Sequence, residues 1–425
     1  MTLTERDARN IWHPYTQQMG ALHPVPIIRA EGCYLYDEHD KRIIDAVSSW
    51  WVILHGHSHP YIVARVTAQL KKLDQVIFAG FTHEPAIELA ENLLALLPDA
   101  QEKVFYSDNG STAVEVALKM CLQYWYNQGI PRRKVLAFRK GYHGDTFGAM
   151  SVSGRSAWTA PFDTLLFEVI FIDTPTPKNL ASVKALISGC AEEIACFIYE
   201  PLVQGSAGML MYNAEDLDQL MAHCRAEGIL MIQDEVFTGF GRTGKNFAAD
   251  HLEEQPDLMC FSKGLTGGTM PLGITTCTSG IYEAFLSEDK MKTLFHGHSF
   301  TANPLACTAA LASIELLKKE DTQHAIERIC KQHGTFLQKI SLHPKVREVR
   351  QTGTILAIEW ETGDRSSYFS QLRDQLYLYF LEHGILMRPL GNVIYILPPY
   401  CMSNEDLAEV YERIEGALDF FSSNI

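Results

Sequence analysis

The sequence predicts an α/β protein with a large, mostly parallel sheet, helices on both faces of that sheet, and a smaller α+β domain. From about residue 104 to 277, short apolar segments alternate with amphipathic stretches, as in parallel strands joined by crossover helices. After about residue 314 the pattern changes to charged helices and a hairpin-like segment, GILMRPLGNVIYILPPY. The first 55 residues lack the alternation, and the pattern alone leaves their domain open.

Composition and charge narrow the class of function. The chain has 425 residues, of which 47% are apolar, and its 36 basic and 51 acidic side chains give a net charge of −15. This acidity argues against nucleic-acid or anionic-membrane partners. We see no targeting segment at the start and no apolar run of about 20 residues. The ten cysteines form no CxxC pair, as expected of buried thiols in a reducing cytoplasm. A cytoplasmic enzyme for small molecules is the expectation.

The predicted elements of the large domain follow in order. Seven apolar segments are the predicted strands: KVFYSD, KVLAF, EVIFI, ACFIYEP, GILMIQDE, LMCFS and GITTCT. Two of the predicted helices are STAVEVALKMCLQYWYNQ and AEDLDQLMAHCRAEG; the first has one apolar face made of Val114, Ala117, Leu118, Cys121 and Trp125. Because parallel sheets bind ligands beyond the carboxyl ends of their strands, polar residues at those ends are the candidate site.

Two motif matches are weak in their context. The run GFGRTGKN at 239–246 fits both a dinucleotide fingerprint and a P-loop, but Asn246 replaces the Ser or Thr of a P-loop and no sustained helix follows. The histidine clusters HGHSH at 55–59 and HGH at 296–298 have no carboxylate or cysteine at ligand spacing. Loop and packing roles suit these residues better, and we expect no metal site.

Two strand ends carry groups suited to catalysis. Asp234 and Glu235 follow the apolar run GILMIQ, and Lys263 follows LMCFS and precedes GLTGG. Partial burial lowers the pKa of a lysine amine, which suits it to covalent chemistry with a carbonyl compound. An isolated lysine here would more often extend to solvent, so its neighbours decide the interpretation.

The segment YSDNGSTAVEVALKM reads as a strand, a polar turn and a helix. Thr112 and Glu115 have capping-box spacing, which predicts a helix start at Ser111 or Thr112. Gly110 and Ser111 would then offer N–H groups and a hydroxyl at the positive end of a helix, where phosphate binds.

A loop after KVLAF adds Tyr142 and His143, and with them an aromatic face. Phosphate cradle, aromatic platform, carboxylate and amine together suit pyridoxal phosphate (PLP). Its phosphate would lie at Gly110 and Ser111, its ring on Tyr142, its ring nitrogen at Asp234 and its aldehyde at Lys263.

At these residues the sequence resembles the class III, fold type I, PLP-dependent aminotransferases. The segments FSKGLTGG, QDEVFTGFGRTG, DNGSTAVEVALKM and GYHGDTFGAMS match in order and spacing, and the resemblance covers nearly the whole chain. It implies a large PLP-binding domain over 56–314 and a small domain built from 1–55 and 315–425. It also implies a homodimer with shared active sites, in which Lys263, Asp234 and Tyr142 are catalytic.

Within the family, IWHPYT, SSWW and MRPLG narrow the resemblance further. They imply an amino transfer from S-adenosylmethionine, or lysine in some members, to 8-amino-7-oxononanoate, giving 7,8-diaminononanoate in biotin synthesis. Tyr15 and Trp50 would line the substrate pocket, and Arg388 would bind the substrate carboxylate. From HGHSF, Gly297 would contact substrate and His298 and Ser299 would contact the cofactor in the partner subunit's site.

Some alternatives stay open. The segment HGHSF departs from the HGPTF form of the family by His298 and Ser299, although the hydroxyl is kept. Asp145 is equally suited to orienting the pocket and to forming a turn. The amino donor is undecided, and another class III aminotransferase, acting on an ω-amino acid or a diamine, is the alternative function.

Overall fold

The computed structural model describes residues 1–362 and 371–422. Its strands in chain order are β1 Ile27–Glu31, β2 Tyr34–Asp37, β3 Arg42–Asp45, β4 Gln101–Ser107, β5 Lys134–Phe138, β6 Val169–Ile172, β7 Ile194–Tyr199, β8 Val203–Gln204, β9 Leu210–Met211, β10 Leu230–Asp234, β11 Leu258–Phe261, β12 Gly273–Thr278, β13 Val346–Thr352, β14 Ile355–Trp360, β15 Ile385–Leu386 and β16 Val393–Ile396.

The α-helices are α1 Leu3–Asn10, α2 Ser48–Trp51, α3 Pro60–Lys72, α4 Glu84–Leu94, α5 Gly110–Asn127, α6 Phe147–Val152, α7 Leu180–Ser188, α8 Ala214–Ala226, α9 Ser279–Glu283, α10 Pro304–Leu317, α11 Glu320–Ile340, α12 Gln371–Glu382 and α13 Asn404–Ser422. Short 3₁₀ helices cover Ala160–Leu165, Ala191–Glu193, Ala248–His251, Lys263–Thr266 and Lys290–Lys292. None of the described helices has the length and apolar character needed to cross a membrane.

The large sheet has the predicted composition. Its seven strands run in the order β4-β12-β11-β10-β7-β5-β6, and all are parallel except β12, which is antiparallel to both its neighbours. Every residue of β7 and β11 is buried, because helices cover both faces of the sheet. The seven predicted strand segments are confirmed, with ends shifted by a few residues.

Helix α5 confirms the predicted apolar face and corrects the predicted cap. Its five predicted face residues are all buried against the sheet. The N-cap, however, is Asn109, whose side chain accepts a hydrogen bond from the N–H of Thr112, while the Thr112 hydroxyl accepts one from the N–H of Asn109. Glu115 instead accepts hydrogen bonds from Gly148 and Ala149 in the first turn of α6. The Glu115 carboxylate therefore stabilises the start of α6, and not the start of α5 that its spacing from Thr112 suggests.

The two ends of the chain meet in a second sheet. Strands β1, β2 and β3 form an antiparallel meander, and β15 pairs in parallel with β3 through Ile385 opposite Ile44. The residues predicted as a hairpin instead divide between two sheets, because β15 joins β3 whereas β16 joins β14. The hairpin expectation was therefore wrong beyond the single bridge between Leu390 and Val393. The exact domain boundaries remain a prediction.

The weak motifs have structural roles. In the glycine-rich loop, Arg242 is buried and donates to the carbonyls of Ile53 and Pro398, which fastens the loop to the chain ends. The next helical turn is only the short 3₁₀ segment Ala248–His251, so no α-helix begins directly after the loop, as a phosphate site of this type would need. Within 1–362 and 371–422, no group of three or more potential ligands could hold a metal ion. All ten cysteines are free thiols, and seven are buried.

Candidate active site

Five parallel strands of the large sheet end around one cavity. Polar and reactive residues at or just after the ends of β4, β5, β7, β10 and β11 line a cavity of about 480 Å³. The lining includes Gly110, Ser111, Tyr142, His143, Glu200, Asp234 and Lys263. This is a volume typical of small-molecule and cofactor sites. The sheet thus brings together the phosphate turn, the aromatic side chain, the carboxylate and the amine that the sequence predicted as one site.

Lys263 lies in a strained, apolar position at the end of β11. Its φ of 46° places it in the left-handed region, which costs a non-glycine residue about 1–3 kcal/mol and is typical of functional sites. The ammonium nitrogen lies 4.8 Å from the ring centre of Trp51 and 5.7 Å from that of Phe237. Burial lowers the pKa of Lys263, and the nearby carboxylates of Asp234 and Glu200 oppose this shift. A lower pKa increases the fraction of Lys263 that is present as the neutral, nucleophilic amine.

Asp234 is held in place by His143. The Nδ1 atom of His143 lies 2.7 Å from Oδ2 of Asp234, and the N–H of Val236 donates to Oδ1 at 3.0 Å. Both side chains are buried, and the backbone N–H of His143 is fixed by the hydroxyl of Ser153. The sequence pointed to His143 only as a loop residue. Its pairing with Asp234 depends on bringing the ends of β5 and β10 together across β7.

Glu200 is a site residue that the motif search missed. It follows β7, is buried, and its carboxylate accepts from the N–H groups of Tyr142 at 2.9 Å and Gly205 at 3.1 Å. Burial raises its pKa to about 7, while the charge of His143 and the two N–H donors act against the shift. A signal was present in the sequence, because the acid follows the apolar run ACFIY as Asp234 follows GILMIQ.

The first turn of α5 forms an anion cradle. The N–H groups of Thr112 and Ala113 are bonded to Asn109, whereas those of Gly110 and Ser111 have no partner in the described part of the chain. The Ser111 hydroxyl accepts from the N–H of Asp145 at 3.3 Å. Two free N–H groups, a hydroxyl and the positive end of a helix together favour a phosphate.

Two glycines let the walls of this cradle approach each other. A Cβ on Gly144, whose φ is +129°, would lie 2.0 Å from the Ser111 hydroxyl oxygen. A Cβ on Gly110 would lie 2.8 Å from a methyl group of Val236. Side chains at these positions would displace the groups that face the anion.

A second cavity of about 370 Å³ adjoins the first through the shared residues Trp51, Tyr142 and Lys263. Arg388 also lines it, and its guanidinium carbon lies 4.5 Å from the ring centre of Trp50. Arg388 forms no ion pair with any residue of 1–362 and 371–422. Most of the remaining lining is aromatic or aliphatic, and comprises Tyr15, Trp50, Val52, Trp158, Ser206, Pro389, Leu390 and Tyr395. The cavity thus combines an amine, apolar walls and an unpaired guanidinium.

Tyr15 and Asp145 organise the rim of this second cavity. The Tyr15 hydroxyl donates a short hydrogen bond to the Asp145 carboxylate and lies 3.4 Å from the Tyr142 hydroxyl. The Tyr15 ring packs edge to face on Trp50 and on Trp158, with centroids 5.7 and 6.0 Å apart. Asp145 therefore orients Tyr15, which was one of the two roles that the sequence left open.

The segment with Gly297, His298 and Ser299 lies away from the lysine of its own chain. None of the three lines either cavity around Lys263. His298 pairs with Asp108 at 3.2 Å, and the Ser299 carbonyl accepts from the Gln75 side chain at 2.9 Å. Their expected contacts with cofactor and substrate remain a prediction that needs a second subunit.

The cavity fits PLP in three respects. The free N–H groups of Gly110 and Ser111 suit its phosphate, the buried Asp234 carboxylate suits a protonated ring nitrogen, and the Lys263 amine suits its aldehyde. Tyr142 lines the same cavity and offers a ring for stacking. The fold and the site define a PLP-dependent transferase built on a large parallel sheet.

Comparison with known proteins narrows this class. The class III aminotransferase family model matches residues 15–418. A protein of Synechococcus elongatus named adenosylmethionine-8-amino-7-oxononanoate aminotransferase is 46% identical over 420 residues, which cover 96% of this chain and 98% of the relative. The crystal structure of a protein with the same name from Methanocaldococcus jannaschii has a TM-score of 0.95 at 38% identity and covers 98% of each chain.

A less similar structure marks the alternative activity. An omega transaminase from Pseudomonas jessenii, solved in complex with PMP, superposes with a TM-score of 0.93 at 27% identity, over 100% of this chain and 99% of that one. The chain belongs to the class III aminotransferases, whose members depend on PLP.

Proposed function

We propose that this enzyme transfers an amino group to 8-amino-7-oxononanoate and forms 7,8-diaminononanoate in biotin synthesis. The observation that carries the proposal is the cavity that links Lys263 to Arg388 through apolar walls. A substrate with a methylene chain and a terminal carboxylate needs a cation at the far end of an apolar cavity, and Arg388 supplies it. The relatives named for this reaction, at 46% and 38% identity over nearly the whole chain, support the proposal.

The residues of the first cavity would hold PLP. Gly110 and Ser111 would bind the phosphate, Tyr142 would stack on the ring, and Asp234 would keep the ring nitrogen protonated. When bound, PLP withdraws electrons from the carbon that carries the amino group and stores that amino group between two substrates. His143 fixes the orientation of the Asp234 carboxylate, as a positioning residue, through the 2.7 Å contact.

Lys263 would move the proton. Its amine lies beside Trp51 and Phe237, where burial lowers its pKa and keeps a neutral form accessible. The neutral amine would accept the proton from the α-carbon of the donor in the first half-reaction and would deliver a proton, in the second, to the carbon of the oxononanoate that receives the amino group. Both half-reactions use the same lysine and therefore the same site. The donor product must leave before the second substrate binds, which is ping-pong order.

We also infer a homodimer that works in the cytoplasm. The Gln75–Ser299 hydrogen bond links two surface segments whose large apolar side chains are exposed: Ile77, Phe81, Phe295 and Phe300. Exposed apolar groups of this size are typical of subunit interfaces, and the segment includes the three residues expected to reach the partner's site. The cytoplasmic inference is supported by the free thiols, which are usual in reducing compartments.

The test separates the two half-reactions by absorption spectroscopy. Holoenzyme is mixed with each candidate donor, and conversion of the cofactor spectrum to the amino form is followed; 8-amino-7-oxononanoate is then added to restore the first spectrum. We expect restoration together with formation of 7,8-diaminononanoate. Restoration by ω-keto acids or aldehydes but not by the oxononanoate would instead support the alternative, an ω-amino acid or diamine transaminase. The omega transaminase from Pseudomonas jessenii, at 27% identity to this chain, is the comparison that favours this alternative.

A further inference from the structure

Segment α2, Ser48–Trp51, contributes Trp50 and Trp51 to the wall of the 370 Å³ cavity and has an unusual backbone. Ser48, Ser49 and Trp51 have φ values of 52°, 62° and 68°, in the left-handed region that residues other than glycine seldom adopt. With its ψ of −92°, Ser49 lies near the classic γ-turn conformation, which is rare and strained. Strained positions persist only where the surrounding structure fixes them, and they cluster at ligand sites.

The carboxylate of Asp45 holds this backbone from the end of β3. The side chain is fully buried, and its Oδ2 atom accepts from the N–H of Ser49 at 2.6 Å and from Nε2 of His57 at 2.8 Å. Its Oδ1 atom accepts from the N–H of Val47 at 3.2 Å. Burial of a carboxylate is costly unless hydrogen bonds compensate it, and here those bonds go to one imidazole and to the strained segment and its approach.

Strand pairing brings the residues after Asp45 beside the residues after β15. Strands β3 and β15 are parallel, with Asp45 opposite Leu386, so both segments leave the sheet at the same end. Trp50 and Arg388 follow these two residues, and the guanidinium carbon lies 4.5 Å from the centre of the indole. Because Trp50 is 40% exposed, core packing does not fix its ring, and the backbone of α2 decides the direction in which it points.

We propose that the Asp45–His57 pair positions Trp50 against Arg388 and thereby orients the guanidinium that receives the acceptor carboxylate. Asp45 is a positioning residue, because it is buried and lines neither cavity around Lys263. The inference rests on the proposed function, in which Arg388 binds the carboxylate of the oxononanoate. Without the pair, α2 relaxes toward ordinary backbone conformations and Trp50 moves away from the guanidinium. Arg388 then loses the preorganisation that favours a fork contact with a carboxylate.

The first experiment measures the binding of nonanoate to the holoenzyme by calorimetry. This probe has the apolar chain and carboxylate of the acceptor but no keto or amino group. Asp45→Ala should weaken its binding about 2- to 30-fold, the range that corresponds to losing one contact between a guanidinium and an indole.

Asp406→Ala is the matched control. The Asp406 carboxylate is also buried, and within 1–362 and 371–422 it accepts from Cys33, Tyr34 and Ser403 but from no residue of α2. Its loss should change nonanoate binding by less than about twofold, as expected of independent sites. Equal weakening in the two variants would assign Asp45 to general packing and overturn the proposal.

The second experiment asks whether Asp45 acts through Arg388. The apparent affinity for 8-amino-7-oxononanoate is taken from the concentration dependence of the second half-reaction, in the wild type, both single alanine variants and the double variant. Asp45→Ala should weaken this affinity about 2- to 30-fold when Arg388 is present. In the Arg388→Ala background the further loss should be less than about twofold, because no guanidinium is left to orient. The same loss in both backgrounds would contradict the proposal.

His57 tests the pair without removing the buried carboxylate, which matters if Asp45→Ala does not fold. His57→Gln keeps an N–H donor near the position of Nε2 and should bind nonanoate as the wild type does, whereas His57→Ala should bind it about twofold more weakly or worse. Amide exchange followed by mass spectrometry is a readout independent of catalysis. In His57→Ala the peptide that contains Ser49 should exchange faster, and the peptide of β4 should not.

Wild-type exchange at Ser49 in His57→Ala, or equal nonanoate binding by the Gln and Ala variants, would refute the role of the pair. If nonanoate binding follows these expectations but 8-amino-7-oxononanoate is not converted, the proposed function fails while the positioning of Arg388 by Asp45 and His57 stands.

Discussion

Replacement of Arg388 by alanine should weaken binding of the oxononanoate and leave the donor half-reaction much less affected. The guanidinium lines the cavity with Lys263, lies 4.5 Å from the Trp50 ring centre, and has no ion-pair partner within 1–362 and 371–422. It is therefore already oriented and does not have to break a protein contact before it binds a carboxylate. Preorganisation of this kind raises the affinity that each hydrogen bond contributes.

The size of the effect follows from the geometry of a guanidinium fork. Each hydrogen bond between charged partners contributes about 1.5–3 kcal/mol, and a bidentate pair makes two. Taking the lower value, because Arg388 is partly exposed, gives about 3 kcal/mol, or a loss of roughly 100-fold in affinity. Arg388→Lys keeps the charge without the fork and should lose about tenfold.

A methyl ester of the oxononanoate completes the assay. The acid and the ester are compared in the second half-reaction with the wild type and with Arg388→Ala, which forms a double-mutant cycle between the guanidinium and the carboxylate. We expect the ester to react equally well with both enzymes. A variant that loses as much with the ester as with the acid, or that is equally impaired toward the donor, would refute the carboxylate clamp.

Three further changes test other parts of the site. Borohydride should fix PLP covalently to the wild-type chain but not to Lys263→Ala, which should fold normally and show no turnover; fixation in the variant would contradict the role of the lysine. Gly144→Ala should lower PLP affinity at least tenfold, because its Cβ would lie 2.0 Å from the Ser111 hydroxyl oxygen. Gly129→Ala is the control for backbone strain alone, since Gly129 has a φ of +74° and nothing within 4 Å of an added Cβ. Equal PLP affinity in the two variants would refute the clash at the phosphate cradle. Burial raises the pKa of Glu200 from 4.5 to about 7, so its contribution to stability is present below pH 4.5 and is lost as the pH rises to 7. Denaturant unfolding of the apoprotein should therefore show the wild type losing about 3 kcal/mol more than Glu200→Gln between those pH values; parallel pH curves would show that the acid titrates normally.

Local patterns predicted the elements of this protein because each depends on neighbours in the chain. Buried strands need continuous apolar runs, and α5 needs an apolar face at helical spacing, so both are visible in the sequence. Asp234 and Lys263 were predicted as active-site residues because they lie at strand ends, and the carboxyl ends of parallel strands meet at one edge of a sheet. The class III motifs around these residues were sufficient to predict the family.

Contacts between distant segments were decided only by the tertiary structure. Helix α5 begins at Gly110 with Asn109 as its cap, rather than at Ser111 or Thr112, because the side chain that reaches the free N–H depends on the path of the turn after β4. The segment predicted as a hairpin separates into two sheets, since β15 finds its partner in β3, some 340 residues earlier in the chain. Pairings at such separation leave no periodic signal in either segment.

The sequence by itself determined the cofactor chemistry, and the tertiary structure decided the surroundings that control it. Residue types and spacing identify an amine, a carboxylate and a phosphate cradle, because these groups are carried by short motifs. The His143 contact with Asp234, the buried Glu200 and the position of Arg388 beside Trp50 depend on where separate segments meet in space. The physical reason is that chemical identity is local in the chain, whereas burial, orientation and cavity shape arise only when distant segments pack together.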